Sequence, residues 1–342
     1  MLLLFLVLAV AGVTACGSGG SAESKSVDQL LAETFGSGKG ITSGKLNASL
    51  DFTLAGVSGF DQPVAVKLYG PFEGRGKGKM PEFDLALNFS QGGQNVAAGA
   101  VSTGSKGYLR IRGQAYELPD EVFAQFRQGF LQAGKQSGGK QDTTLKALGI
   151  DPRRWLTGAR KVGEATVGGA RTVHISAGIA VDRFLADVNT LLGRAGDLGL
   201  TGLPKTQGLT AAQRAEIARS VRTARVDVYT GADDTILRRL VLNVSLSVPA
   251  SARKAIGGLR DGKIFLDLGF ADINRPQSIN PPADAKPITD LAGGAGALLG
   301  GAPSDSGATP PQVGGVPDAY VRCVQAAAGD VAKVQKCAAL LR

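Results

Sequence analysis

Leu46-Asn47-Ala48-Ser49-Leu50-Asp51-Phe52-Thr53-Leu54 alternates apolar and polar side chains without a break. Successive side chains of an extended chain point to opposite faces, so this stretch reads as a strand with one apolar and one polar face. A half-buried strand of this kind belongs to an antiparallel sheet with one wet side.

The same signal recurs in both directions along the chain. Val64, Val66 and Leu68 alternate within 64–72. Phe83, Leu85, Leu87 and Phe89 do so within 83–89. Residues 95–103 and 108–112 give two further strands. The segments between them are rich in glycine (Gly56 to Gly59, Gly74 to Gly78, Gly92-Gly93, Gly104 to Gly107) and read as hairpin turns. After residue 158 the alternation returns. Residues 159–166 and 171–177 flank a Val167-Gly168-Gly169-Ala170 turn, and strands follow at 224–229, 236–248 and 263–273.

Four segments carry a helical period instead. Val27, Leu30, Leu31 and Phe35 follow Ser26, a good cap. Leu118-Pro119-Asp120 opens a helix that carries Phe123, Phe126 and Phe130 on one face. Val181, Phe184, Leu185, Val188, Leu191 and Leu192 form the strongest helical pattern in the chain. A fourth helix runs from Thr210 to Val221, and a short helical stretch is expected at 145–156. About nine antiparallel strands with a few apolar-faced helices predict an α+β fold, an open curved sheet with helices on its concave face. Such layering leaves room for a cavity between sheet and helices.

The first residues have a different character. Leu2 to Val13 is apolar, broken only by Gly12, and ends in Val13-Thr14-Ala15-Cys16 before Gly-Ser-Gly-Gly-Ser. The run is too short to span a bilayer, which needs about 20 apolar residues. The order resembles a bacterial lipoprotein signal with its lipobox. That resemblance implies a signal peptide at 1–15, acyl chains on Cys16, and a flexible tether over 16–26. No Lys or Arg precedes the run, so the reading expects a start further upstream.

Composition narrows the chemistry. With one His, two Met and three Cys, a His- or Cys-based metal site is not expected, and no cofactor is expected. Cys323 and Cys337 remain as an even pair once Cys16 is set aside, so a disulfide is expected, within one chain or between two. The net charge of +9 comes without a block of consecutive basic residues. It fits anionic lipid headgroups or cell-wall polymers, or simply a basic soluble surface, and nucleic acid is not an expected partner.

Beyond residue 275 the chain turns to Pro, Gly, Ala and Ser. Residues 276–317 read as a linker that cannot bury a core, and 318–342 as two short helices carrying Cys323 and Cys337. This helical hairpin is stapled by its disulfide or docks on the main domain.

Several stretches resemble the actinobacterial LppX/LprG-type lipoproteins, which share the LolA/LolB-like fold. Ser43 to Gly56 is similar to their first strand. Lys106-Gly107-Tyr108-Leu109 with Ala115-Tyr116 is similar to their paired short strands. Residues 162–174, with Gly163-Glu164 ahead of the turn glycines, resemble their central hairpin. Val226 to Asp234 resembles a strand and turn of the family, and Phe270 to Pro276 with Pro281-Pro282 its closing strand and exit. The resemblance covers about residues 27–283. It implies a ligand-binding domain over 27–275 that holds an acylated lipid or lipoglycan in an apolar cavity. It also implies a place at the extracytoplasmic face of the cell membrane and no covalent chemistry.

Candidate cavity-lining residues are Phe123, Phe126, Phe130, Phe184, Leu185, Val188 and Leu192. Candidate headgroup contacts are Arg75, Lys77 and Lys79, on one hairpin. The same apolar residues also suit ordinary core packing, because both roles need the same spacing. The alternative function is a structural or interaction lipoprotein without a cavity, docking an envelope protein through the C-terminal hairpin. Gly36-Ser37-Gly38-Lys39-Gly40 is not a phosphate loop: Glu33 stands where the first glycine belongs, and Gly40 where a hydroxyl residue belongs. His174 lies in an alternating strand with no nucleophile at recognisable spacing, so a catalytic role is not expected.

Overall fold

The computed structural model describes residues 22–36, 40–76, 78–136, 152–193 and 209–290. Cys16, Cys323, Cys337, Lys77 and the segments 145–151, 291–317 and 318–342 lie outside the described residues.

Six strands come first: β1 (Ser43–Ala55), β2 (Val64–Glu73), β3 (Glu82–Gln91), β4 (Gln94–Thr103), β5 (Gly107–Ile111) and β6 (Gln114–Glu117). Five more follow residue 155: β7 (Leu156–Val167), β8 (Ala170–Ile179), β9 (Val221–Gly231), β10 (Leu237–Ser247) and β11 (Asp261–Ala271). A two-residue β12 (Lys286–Pro287) closes the list, and among the described residues the sheet has twelve strands where the alternation predicts about nine. Helices α1 (Val27–Gly36), α2 (Asp120–Gln136), α3 (Val181–Gly193) and α4 (Ala211–Ser220) lie where the helical period places them.

The sheet is open, in the order β12-β6-β5-β4-β3-β2-β1-β11-β10-β9-β8-β7. Hairpins carry the chain from β1 outward to β6. It then restarts at the opposite edge with β7 and works inward until β11 pairs with β1. Every pairing is antiparallel except β12 on β6. The connection from β6 to β7 therefore spans the sheet, about 48 Å along its surface at about 4.8 Å per strand. Helix α2, about 25 Å long, belongs to that connection.

Register turns the alternation into continuous rows. One row on the apolar face runs Ile111, Ala98, Leu87, Leu68, Ala48, Leu268, Leu240, Val228, Ile175 across nine strands. The next runs Val96, Phe89, Val66, Leu50, Leu266, Leu242, Val226, Ala177. A one-residue slip in any pair would break both rows, so burial of this face pins the register.

Two helices cover parts of the face. Phe123 of α2 packs with Leu46, Leu68, Phe72, Phe83, Leu85 and Phe270. Leu30 and Leu31 of α1 pack with Val173, Ile175, Ala177, Val226 and Val228. Polar contacts fix α1 in place: Thr34 donates to the Thr230 hydroxyl at 2.8 Å, and Thr235 donates to Glu33 at 3.0 Å. Lys25 pairs with Glu33 at 2.7 Å, and the Ala22 amide donates to the Ala232 carbonyl at 2.9 Å.

The stretch after β11, read from composition as the start of a linker, stays on the sheet as far as residue 288. The Asn274 amide donates to the Ser43 carbonyl at 2.9 Å, and the Gln277 amide to Glu73 at 2.8 Å. Gln114 donates to the Asp284 carbonyl at 2.9 Å, β12 pairs with β6, and Ile288 is buried. Backbone pairing needs no apolar side chain, so a Pro-rich composition does not exclude it.

Candidate functional site

The two ends of the sheet differ. At one end lie the β2–β3, β4–β5, β7–β8 and β9–β10 turns, and the α2 cluster packs there. At the other lie the β1–β2, β3–β4 and β10–β11 connections (56–63, 92–93 and 248–260). Toward that second end the described residues of the apolar face are unevenly covered, and Val64 and Leu246 are buried there. Leu50, Phe52, Leu54, Val66, Phe89, Leu242, Val244, Ile264 and Leu266 are all half-buried, and none belongs to either packed cluster. Phe60, 40% exposed, packs its ring 5.7 Å from Phe52, and Val96 is 58% exposed. A ligand that covered this face would gain about 2.5 kcal/mol per 100 Å² of apolar surface removed from water.

Cations stand on the connections at this open end. Arg112, Lys254 and Arg260 are exposed, and Arg253 is half-buried with its Nε donating to the Val248 carbonyl at 3.2 Å. Arg260 faces Asp61 at 3.9 Å. The chain enters α3 from β8 and leaves α4 into β9 at the same end.

Between α3, α4 and the turn Pro152–Trp155 lies a cleft of about 320 Å³. Arg154, Asp182, Arg183, Asp187 and Arg214 line it, with Ala186, Ala211 and Ala215 as small walls. Local bonding holds its parts. Trp155 Nε1 donates to Asp187 at 2.8 Å and the indole meets Phe184 edge-on at 5.1 Å. Arg183 donates to the Arg154 carbonyl at 3.3 Å, and Arg214 to the Leu209 carbonyl at 2.8 Å. Asn189 of α3 takes both the amide and the carbonyl of Leu209. Thr210 and Gln213 form a capping box that starts α4.

The residues singled out from sequence fall in several places. Phe123 is 3% exposed and part of the α2 cluster, and Phe126 and Phe130 pack on that cluster half-buried. Phe184 rests on Trp155 and Leu185 is half-buried. The side chains of Val188 and Leu192 lie outside the described residues. Arg75 and Lys79 sit on the β2–β3 hairpin, at the opposite end of the strands from the open apolar rows. Arg75 pairs with Glu82, and that hydrogen bond raises its guanidinium pKa. The cleft arginines come from three separate elements, and Arg153-Arg154 ahead of Trp155 is the one local cue to them.

The polar face carries its own ladder. His174 Nε2 lies 2.9 Å from Asp227, and its ring stacks on Tyr229 at 4.4 Å. Arg239 lies 5.8 Å from the Tyr229 ring centre. It makes two hydrogen bonds to Asp267, which raise its pKa. Such cross-strand pairs are what a wetted sheet face uses. Among the described residues no group of three or more His, Cys, Asp or Glu could hold a metal ion, and no helix is long and apolar enough to cross a membrane.

No protein-family model and no curated protein matches the chain. Among solved structures the chain is similar to LprF from Mycobacterium bovis at 14% identity. That match covers 75% of this chain and 96% of that one, with a TM-score of 0.37. It is similar to the Mycobacterium tuberculosis lipoprotein LppX at 12% identity, over 75% and 100% of the two chains, with a TM-score of 0.33. These are LppX/LprG-type structures. The MucA/MucB complex of Pseudomonas aeruginosa also matches, at 11% identity, over 77% and 62%, with a TM-score of 0.22.

Proposed function

We propose that this chain is a lipoprotein anchored through acyl chains on Cys16 at the extracytoplasmic face of the cell membrane, and that it carries a lipid or another hydrophobic ligand. The observation that supports this most is the open half of the apolar face. Leu50, Leu266 and Leu242 stand in register on adjacent strands, as core residues do, yet each stays half-buried. An apolar face that its own helices leave part covered suits an acyl chain as the missing cover. The charged rim at the same end suits a headgroup left in water. Binding and release are then an exchange between membrane and sheet, without covalent chemistry.

Native mass spectrometry on the Cys16→Ser chain, purified gently from a host with ordinary phospholipids, tests this reading. The expected result is a stoichiometric adduct of lipid mass that organic solvent extracts. A clean apo mass that stays clean after incubation with membrane lipids would overturn it, and would favour an interaction role for the C-terminal segment 318–342.

A further inference from the structure

The geometry points to a second, polar half of the ligand site: the α3–α4 cleft binds the anionic headgroup, a phosphate ester, of the lipid whose chains lie on the open face. This inference rests on the proposed lipid carriage and names the ligand class. Three guanidinium groups, Arg154, Arg183 and Arg214, line one cleft of about 320 Å³. The side chains of Arg183 and Arg214 are each held to a backbone carbonyl. A fork held in this way loses little freedom when it takes a phosphate bidentately. Two carboxylates share the cleft, but Asp187 is already engaged by the Trp155 indole N–H. Its charge remains, so with Asp182 the cleft sets two carboxylates against three guanidinium groups, one positive charge in excess. The cleft opens beside helices that enter and leave the sheet at the end where Leu50, Leu242 and Leu266 are half-buried. Arg253 and Lys254 continue the same sign of charge alongside, on the segment whose Ala255 carbonyl accepts from Gln213 of α4 at 3.2 Å. An amphiphile with an apolar body and an anionic head matches both halves.

The test loads the Cys16→Ser chain from vesicles of phosphatidylglycerol or of phosphatidylcholine with the same acyl chains, and reads bound lipid by native mass spectrometry. The parent chain is expected to prefer phosphatidylglycerol. Arg154→Gln with Arg183→Gln, two exposed positions, is expected to lower phosphatidylglycerol uptake about tenfold or more and phosphatidylcholine uptake much less, because choline already offsets the charge of that lipid's phosphate. Arg219→Gln, an exposed residue of α4 outside the cleft, is the control and is expected to change nothing. An unchanged preference in the double variant, or an equal loss in the control, overturns the headgroup site while lipid carriage stands. Uptake of neither lipid by the parent chain overturns both readings. Inorganic phosphate that competes with phosphatidylglycerol for the cleft supports the assignment. Phosphate that binds through the same arginines without affecting lipid uptake assigns the cleft to a free anion and overturns it.

Discussion

Asp272 shows how one residue closes the sheet. It follows the last residue of β11 with φ of 50°, and Asn274 repeats the left-handed geometry at φ of 56°. Asp and Asn tolerate that region better than other residues with a side chain. The turn they make lets the Asn274 side chain accept from both the amide and the hydroxyl of Thr42 at 2.8 Å, which locks the exit of β11 to the entry of β1. Lys45 stands 2.9 Å from Asp272 and holds its carboxyl below the ordinary 3.8. A carboxyl whose folded pKa is lowered adds stability that is present above its unfolded pKa and is lost as the pH falls through the folded one. Urea unfolding at neutral pH and at about pH 3 is therefore expected to show an acid-side loss in the parent chain, with a smaller loss in Asp272→Asn. Asn keeps the backbone preference and removes the charge. Equal losses in both chains would take Asp272 out of the acid response.

At the scale of elements, α2 is seated by a missing side chain. A Cβ at Gly107 of β5 would lie 2.4 Å from the Phe123 ring and 3.1 Å from Leu118, so the helix start sits directly over a strand glycine. Gly107→Ala is expected to cost about 1–3 kcal/mol by overpacking. Phe123→Ala alone is expected to cost about 3–5 kcal/mol. The double variant should cost less than the sum, because removing the ring makes room for the methyl group. Chemical denaturation of the four chains measures the coupling, and strict additivity would mean that α2 does not rest on β5. The helix itself was legible in sequence, since Pro119, Asp120 and three Phe at helical spacing announce it. Strands β1 to β5 and β7 to β11 were legible for the same reason, as alternation is local. The pairing of β11 with β1 was not, nor the jump of the chain from β6 to the far edge, because both are long-range. β12 was invisible: Lys286-Pro287 joins β6 by its backbone, and a Pro-rich segment offers no alternating pattern to read. Spacing alone also cannot say which apolar residues are covered. Leu68 and Leu50 obey one rule in the sequence, yet the first is buried and the second half-buried.

For the whole molecule, that difference decides whether the apolar face is a core or a binding surface. Leu50 and Leu266 are cross-strand partners near the middle of the sheet, on β1 and β11. In a sheet whose face is core, these would be the costliest positions to make polar. Here the covering helices stand to either side, α2 toward one end of β1–β3 and α1 over β8 and β9. Between them Leu50 and Leu266 stay half-buried. Leu50→Gln and Leu266→Gln are therefore expected to lower stability by about 1 kcal/mol each, since the lost burial is partial and the amide stays hydrated. Leu68→Gln, one row closer to α2 and 1% exposed, is expected to cost about 3 kcal/mol or more, because its amide would be buried without a partner. Lipid uptake should show the reverse order. The Leu50 and Leu266 variants are expected to lose most of their adduct in native mass spectra while remaining folded. A folded Leu68 variant is expected to keep its adduct. Thermal unfolding and lipid loading on the same three chains measure both quantities. If Leu50→Gln unfolds as readily as Leu68→Gln, the central rows are core, and the face has no room for a ligand.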